Sequence, residues 1–325
     1  MTKPQKAGKA AVKAVSGIVD FIFIALLIFL LIFAGYTRWD SQQLYTAADP
    51  ERYIMYKPSP PDVVSFEELQ EINPDVLGWL TVYGTNIDYP LVQDPEGNTK
   101  YLDHNAKGEV EGSGALFLDH KNSPDFSDFN TIIYGHHMAK HKMFGDIDEF
   151  LNEDFFNTHE FGNLIYGNQN HGLQFVAMLQ VDGYDSSLYK PGVAGEQERL
   201  SYIDHIYERA MYLRGVTKTG AQTSPTGTRR EPVTPDDRII LMSTCSADTT
   251  NGRYVLVAKL LDHPVENPYP DTEKKIEKRK IDTSEISYRI GKHSVWMWII
   301  ILILLILLTL TAYLLVRRHD RKKRQ

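Results

Sequence analysis

Two long apolar segments, one near each end of the chain, limit what this protein can fold into. The segment from Val15 to Tyr36 contains a single charged residue, Asp20, and the segment from Val295 to Val316 contains none. Each has the roughly 20 residues that a helix needs to cross a bilayer. We therefore expect two transmembrane helices with a separate domain folded between them.

Basic residues flank both apolar segments and predict how they are oriented. Four lysines precede the first segment, and a cluster of lysines and arginines follows the second. By the positive-inside rule, both termini are cytoplasmic and the domain between the segments is extracellular. A cleaved signal peptide is the alternative for the first segment, but its apolar core exceeds the usual length of about 7 to 15 residues.

The charge distribution makes the outer domain strongly acidic, because the whole chain carries a formal net charge of −7 although both tails are basic. An acidic domain is a poor partner for a nucleic-acid backbone. The predicted order along the chain is a cytoplasmic tail (1–14), a transmembrane helix (15–36), a linker (37–64), an extracellular domain (65–262), a charged stalk (263–294), a second transmembrane helix (295–316) and a basic cytoplasmic tail (317–325).

Short apolar runs separated by turn residues predict that the outer domain is mainly β, as a barrel or sandwich. The runs cover residues 78–82, 87–92, 115–118, 131–134, 164–166 and 173–179. A capping-box pattern predicts a short helix over 65–72, and apolar spacing predicts helical turns over 144–156 and a longer helix over 196–213. Residues 217–235, rich in Thr, Gly and Pro, are expected to form a loop.

The only cysteine of the chain, Cys245, ends an apolar run that begins at Arg238, and Arg253 opens the next run. A lone cysteine in an extracellular domain is buried and inert, cross-linked to another chain, or reactive. A neighbouring guanidinium favours the reactive state because it stabilises the thiolate.

A reactive cysteine needs a proton-transfer partner, and Tyr134-Gly-His136 supplies a candidate imidazole at the end of a predicted strand. His137 and His141 are spaced as a metal-binding pair on a helix would be. No third ligand stands at a fixed spacing, so the catalytic interpretation is favoured over the metal site.

These residues carry a family resemblance. Leu241-Met-Ser-Thr-Cys245, Arg253 and Tyr134-Gly-His136 resemble the sortase signature, whose usual form is Thr-Leu-x-Thr-Cys. Five further segments are similar to class B sortases, namely 72–79, 84–93, 101–105, 117–119 and 130–137. The resemblance implies a closed eight-stranded β-barrel with N-terminal helices and an inserted helix, here flanked by the two transmembrane helices.

The resemblance also implies a function, that of a cysteine transpeptidase at the outer face of a Gram-positive membrane. Such an enzyme cuts the C-terminal sorting signal of a secreted protein, and class B members suggest a signal of the Asn-Pro type. Cys245 would carry the acyl group, His136 would move protons, and Arg253 would hold the substrate or the oxyanion. A main-chain N–H near Ser246 would complete the oxyanion hole, and Asp248 would either orient Arg253 or shape a turn.

Family correspondence further assigns Asp88, Val92, Tyr134 and Ser243 to a substrate groove, with an ordinary barrel role as the alternative for Val92 and Tyr134. The expected acceptor is an amine of a peptidoglycan precursor. A pilin lysine is the alternative, because a C-terminal membrane span is more familiar in pilus-building class C sortases. A plain cysteine endopeptidase and a non-catalytic membrane scaffold are the other hypotheses. The mechanism requires no metal and no organic cofactor.

Overall fold

The computed structural model describes residues 3–59, 64–214, 216–217, 220–221, 233–245 and 251–269, with the main chain of Cys245. These residues belong to two compact units, one reaching residue 43 and the other beginning at Leu44. The predicted second transmembrane helix, most of the predicted stalk, Ser246 and Asp248 lie outside the described residues.

The chain begins with a long helix, α1 (Lys3–Ala47), which contains the first apolar segment. Its portion Val15–Ala47 is long and apolar enough to cross a membrane. Apolar side chains such as Phe23 and Leu31 are exposed on it. The helix continues eleven residues past its predicted end at Tyr36, so the predicted linker begins as helix.

After α1, two 3₁₀ turns, Pro50–Arg52 and Ile54–Tyr56, lead towards the short helix α2 (Val64–Ile72). This helix confirms the prediction made for 65–72. Tyr53, Tyr56 and Phe66 are buried in the main core. Residues 53 and 56 of the predicted linker are therefore part of the folded domain.

The domain is built on a closed barrel of eight strands, which confirms the mainly β prediction. The barrel strands are β1 (Val76–Val82), β2 (Asp88–Val92), β3 (Leu116–Leu118), β4 (Asn130–Tyr134), β7 (Phe161–Tyr166), β8 (Gln169–Asp182), β12 (Arg238–Cys245) and β13 (Gly252–Leu260). They pair in the order β13-β12-β4-β3-β2-β1-β7-β8, and β8 pairs with β13 to close the barrel. Because β8 and β13, the two ends of this order, pair with each other, closure removes the two edge strands that an open sheet would have.

Apolar side chains cover both faces of the strands around β12. Ile240 and Met242 point into the main core, whereas Ile239 and Leu241 point into a second core on the outer face. Helix α4 (Glu196–Arg209) covers that outer face with Tyr202, Ile203 and Ile206. Because successive residues of a strand alternate between faces, a strand covered on both sides reads as a continuous apolar run.

The predicted helix over 196–213 is partly wrong, because the helix ends at Arg209. Residues Ala210–Leu213 form strand β9, which pairs antiparallel with β8 opposite residues 177–179. Ala210 already has the extended angles φ −66° and ψ 131°. The C-terminal part of β8 extends past β7 and leaves unpaired main-chain groups there, and β9 satisfies them.

Several short elements lie outside the barrel in the described part of the domain. A hairpin of β5 (His137–Met138) and β6 (Lys142–Met143) follows β4. A 3₁₀ helix, Gly145–Leu151, and helix α3 (Glu153–Thr158) confirm the helical turns predicted over 144–156. Within the predicted loop over 217–235, β10 (Val216–Thr217) pairs with β11 (Gly220–Ala221), and residues 218–219 and 222–232 lie outside the described residues.

Candidate active site

Strand topology brings the three predicted catalytic positions to one rim of the barrel. β4 and β12 are parallel neighbours, and their register pairs Tyr134 with Ser243. Parallel strands end at the same edge of a sheet, so His136 and Cys245, each two residues further along, reach the same rim. β13 runs antiparallel to β12 and places Arg253 directly opposite Cys245.

Gly135 connects the end of β4 to His136. The Gly135 N–H donates to the Ser243 carbonyl at 3.2 Å, which extends the ladder between β4 and β12 by one residue. A Cβ at this position would lie 2.7 Å from the Phe144 ring and closer still to Leu116, so a side chain here would displace these two buried residues. The packing between the strand and the histidine therefore favours glycine.

The His136 imidazole is half-buried and fixed by one hydrogen bond, from its Nε2 to the main-chain carbonyl of Leu102 at 2.7 Å. A carbonyl oxygen can only accept, so Nε2 carries the hydrogen. Nδ1 is then the imidazole nitrogen that lacks a proton in the neutral ring. This contact selects the tautomer and leaves Nδ1 as the atom able to exchange a proton.

Gly114 packs against this hydrogen bond. Its φ is +62°, in the left-handed region, and a Cβ there would lie 3.0 Å from the Leu102 oxygen and 3.2 Å from Cδ2 of His136. The same atom would lie 2.5 Å from the Tyr101 carbonyl oxygen. The loop that carries Leu102 can therefore approach the imidazole only because residue 114 has no side chain.

Arg253 stands at the start of β13 with a half-buried side chain. Its Nη1 donates to the carbonyl of Gly252 at 3.1 Å, and Gly183 lies beside its guanidinium. Main-chain pairing with Val181 and Cys245 fixes the residue from both sides. Arginine presents five N–H groups. Toward the described residues this bond uses one of them, so the guanidinium keeps further donors there for a carbonyl or an oxyanion.

Tyr134 and Ser243 lie side by side on the outer face and belong to one hydrogen-bonded group. The Tyr134 hydroxyl donates to Asp119 at 3.1 Å, and its ring stacks on Tyr189 with centroids 6.3 Å apart. Tyr189 in turn shares a hydrogen bond of 2.8 Å with the Ser243 hydroxyl. Burial, reinforced by the Asp119 carboxylate, raises the pKa of Tyr134, so its hydroxyl remains a donor at physiological pH.

The other two residues predicted to line the groove have different surroundings. Val92 pairs with Phe117 on the neighbouring strand, and Phe117 pairs in turn with Tyr134. The Val92 side chain is nevertheless completely buried in the core. The Asp88 carboxylate accepts from Trp79 Nε1 at 2.7 Å and from Thr81 at 2.8 Å, and Lys57 pairs with it at 3.0 Å. These contacts favour a role in holding β1 to β2 over direct contact with a substrate.

His137 and His141 lie on a hairpin and do not form the helical metal-binding pair that their spacing allows. His137 Nε2 contacts Asp148 at 2.5 Å, and His141 Nδ1 contacts Asp146 at 2.6 Å. The hydrogen bond with Asp148 raises the pKa of His137 although burial opposes it. Within the part of the chain that the structure describes, no three His, Cys, Asp or Glu side chains are grouped as a metal would need.

Sequence reasoning missed four groups around the site: Asp119, Tyr189, Gly114 and the Leu102 carbonyl. Asp119 lies inside one of the segments that resemble class B sortases, so its presence was visible but its partner was not. Tyr189 lies in an irregular stretch with no periodic pattern. A main-chain carbonyl has no sequence signal at all, because every residue carries one.

Comparison with known proteins places these observations in a family. Residues 80–261 match the model of the sortase domain. The chain is 33% identical to sortase B of Listeria monocytogenes over 198 residues, which is 60% of this chain and 73% of that protein. It is 29% identical to sortase B of Staphylococcus aureus over 201 residues, covering 60% of this chain and 74% of that protein.

Two solved structures are similar to the described fold. Sortase B from Clostridium perfringens is 31% identical, with a TM-score of 0.53, covering 61% of this chain and 100% of that chain. A Streptococcus pyogenes class B sortase involved in pilus biogenesis is 33% identical, with a TM-score of 0.51, covering 61% of this chain and 98% of that chain.

Replacing Gly114 by alanine tests whether the close approach of the Leu102 loop to His136 is required. We expect Gly114→Ala to lower the free energy of unfolding by about 1–3 kcal/mol, because the left-handed φ and the close carbonyl oxygens both oppose a Cβ. Gly97→Ala is the matched control, since a Cβ at residue 97 meets nothing within 4 Å. Denaturant unfolding of the full chain in detergent measures both, and equal stability of the two variants would contradict the account.

Proposed function

Because this chain belongs to the sortase family, we propose that it cuts the C-terminal sorting signal of secreted proteins with Cys245 and transfers the acyl group to an amine. Its matching relatives are class B sortases, and sortases are transpeptidases. The observation that carries the proposal is the register of β4, β12 and β13, which brings the main chain of Cys245 to the same rim as His136 and Arg253.

The first half-reaction forms a thioester and releases an amine. The Cys245 thiolate adds to the carbonyl carbon of the scissile peptide bond and gives a tetrahedral oxyanion. Arg253, together with a main-chain N–H near Ser246, stabilises that oxyanion. The Cys245 thiolate acts together with a His136 imidazolium, whose Nδ1 has taken the thiol proton. As the C–N bond breaks, His136 donates that proton from Nδ1 to the leaving amine, while Nε2–H stays bonded to the Leu102 carbonyl.

The second half-reaction reverses these roles. An incoming amine attacks the thioester carbonyl, His136 Nδ1 takes its proton, and Cys245 leaves as the thiolate. The product is a new amide bond, so no water is consumed and no cofactor is required. Tyr134 and Ser243 form part of the substrate groove in this proposal, whereas Asp88 and Val92 support it from the barrel.

We further propose that the protein crosses the membrane twice, through residues 15–36 and 295–316, with both termini in the cytoplasm. Residues 65–262 then form the extracellular catalytic domain, and residues 263–294 form the stalk that leads to the second span. This arrangement is supported by the basic tails and by helix α1, whose apolar portion is long enough for one crossing. In this arrangement Cys245 lies at the outer face of the membrane, where secreted proteins emerge.

Turnover of peptides that carry a sorting signal tests the proposed mechanism. We expect the full chain to cleave peptides with an Asn-Pro-type or a Leu-Pro-type signal, and hydroxylamine to increase turnover by relieving the thioester. Cys245→Ala and His136→Ala should each reduce the rate at least about 10³-fold, and Arg253→Lys about 10²-fold.

His263→Ala is the control for these variants, because His263 is exposed and follows the C-terminal end of β13, the opposite end of that strand from Arg253. It should retain a rate within about threefold of the wild type, as expected for substitutions outside the site. A cleavage rate that does not change when amines are added would identify a plain cysteine endopeptidase. Absence of cleavage together with an unreactive Cys245 would support the scaffold hypothesis.

The proposed acceptor is an amine of a peptidoglycan precursor, and a pilin lysine is the second candidate. The Streptococcus pyogenes relative involved in pilus biogenesis is the observation that favours the second. The thioacyl enzyme should transfer its acyl group to a synthetic cell-wall branch peptide at least about tenfold faster than to a lysine-bearing pilin domain, a difference of about 1.4 kcal/mol in barrier. The reverse order of rates would assign the protein to pilus assembly.

A further inference from the structure

The segment between helix α1 and helix α2 is fixed to the barrel on the side of the candidate active site. We name residues 48–57 the N-terminal strap. Ala48 and Tyr53 are buried, and the Tyr89 hydroxyl donates to the Ala48 carbonyl at 2.9 Å. The same hydroxyl accepts from the Met143 N–H at 3.0 Å. The strap is thus joined to the barrel and to the hairpin that follows His136.

Two loops flank His136, and the strap forms an ion pair with each of them. Arg52 pairs with Glu111, in the loop that carries Leu102, at 2.7 Å. Asp49 pairs with Lys142, in the hairpin after His136, also at 2.7 Å. The strap therefore connects the two structures between which the imidazole is held.

The ion pair between Arg52 and Glu111 is linked to the His136 imidazole by a short series of contacts. The Glu111 side chain is 5% exposed. The main-chain carbonyl of Glu111 accepts a hydrogen bond from the Gly114 N–H at 2.9 Å. Gly114 packs directly against the Leu102 oxygen and against His136. A carboxylate this deeply buried needs its cationic partner, so loss of Arg52 would disturb the loop at Glu111. A shift there moves the acceptor of the His136 hydrogen bond.

The second ion pair supports a strained hairpin. Lys140, His141 and Met143 have φ values of +61°, +59° and +51°, and each such non-glycine residue costs roughly 1 kcal/mol. The hairpin therefore depends on contacts from outside. Lys142 receives one from Asp49, and the Phe144 N–H then donates to the His136 carbonyl at 3.0 Å. The end of the hairpin is thus bonded to the main chain of the histidine.

We propose that Asp49 and Arg52 are positioning residues for His136, and that the N-terminal strap holds the imidazole in the orientation that proton transfer requires. The proposal rests on the proposed function, in which His136 exchanges protons through Nδ1. The strap follows the apolar helix directly in the chain, so the segment that leaves the proposed membrane span is part of the catalytic apparatus. Misplacement of a reacting group by about 1 Å can cost about 10²-fold in rate, so small movements suffice.

A charge swap between Asp49 and Lys142 tests the proposal in the full chain in detergent. Asp49→Lys and Lys142→Asp should each lower kcat for the signal peptide about tenfold with little change in KM, because the imidazole and not the peptide groove is disturbed. The double swap restores the ion pair and should recover kcat to within about threefold of the wild type.

The direction in which kcat changes in the two single variants distinguishes loss of positioning from a direct electrostatic effect on His136. The two substitutions change the local charge in opposite directions, so a direct field at His136 would raise one rate and lower the other. Loss of positioning lowers both. The control is Lys259→Asp, which breaks the ion pair with Asp237, also 2.7 Å long and similarly buried, at the opposite end of β12 and β13. Its kcat should remain within about twofold of the wild type.

A second measurement keeps this proposal separate from the proposed function. In isotope-labelled protein, the hydrogen-bonded Nε2 proton of His136 should give an NMR resonance, which is assigned by its absence from His136→Gln. This resonance should disappear in Asp49→Lys and in Lys142→Asp and return in the double variant. If the wild type transfers no acyl group, the proposed function fails and this resonance alone decides the positioning claim. Unchanged kcat and an unchanged resonance in folded single swaps, or a double swap that recovers neither, would overturn it.

Discussion

The parallel pairing of β4 with β12 is the constraint on which the candidate site depends. Its register, Tyr134 opposite Ser243, fixes where both strands end and therefore where His136 and Cys245 lie. A slip by one residue would turn every side chain of β12 to the opposite face. Because both faces of that strand are apolar, the hydrophobic pattern alone does not exclude such a slip. The slip would turn Ser243 away from Tyr189 and break their hydrogen bond, so this polar contact helps to specify the alignment at the rim.

His136 is held almost entirely by main-chain groups. Its neighbour Gly135 extends the β4–β12 ladder, and the Leu102 carbonyl accepts the Nε2 proton where Gly114 leaves room. Main-chain contacts have little rotational freedom, so they orient a ring with less loss of entropy than a long side chain would. The N-terminal strap, which follows α1 in the chain, forms ion pairs with the two loops that flank His136.

Much of the fold was predictable because it follows from local patterns. The apolar runs gave most of the barrel strands, and the capping box gave α2. The end of α4 at Arg209 was not predictable, since the apolar spacing continues while the free edge of β8 draws Ala210–Leu213 into a strand. Of the site, Cys245, His136 and Arg253 have sequence signals. Asp119, Tyr189 and the strap contacts do not, because they depend on packing between distant segments.

Intact-mass spectrometry of the full chain mixed with a signal peptide, without any amine acceptor, tests the central claim most directly. The account predicts an increase equal to the mass of the peptide segment before the scissile bond, located on the fragment that contains Cys245. Hydroxylamine should remove the added mass. No adduct on a chain that cleaves the peptide, or an adduct on a residue other than Cys245, would contradict the proposed thioacyl mechanism.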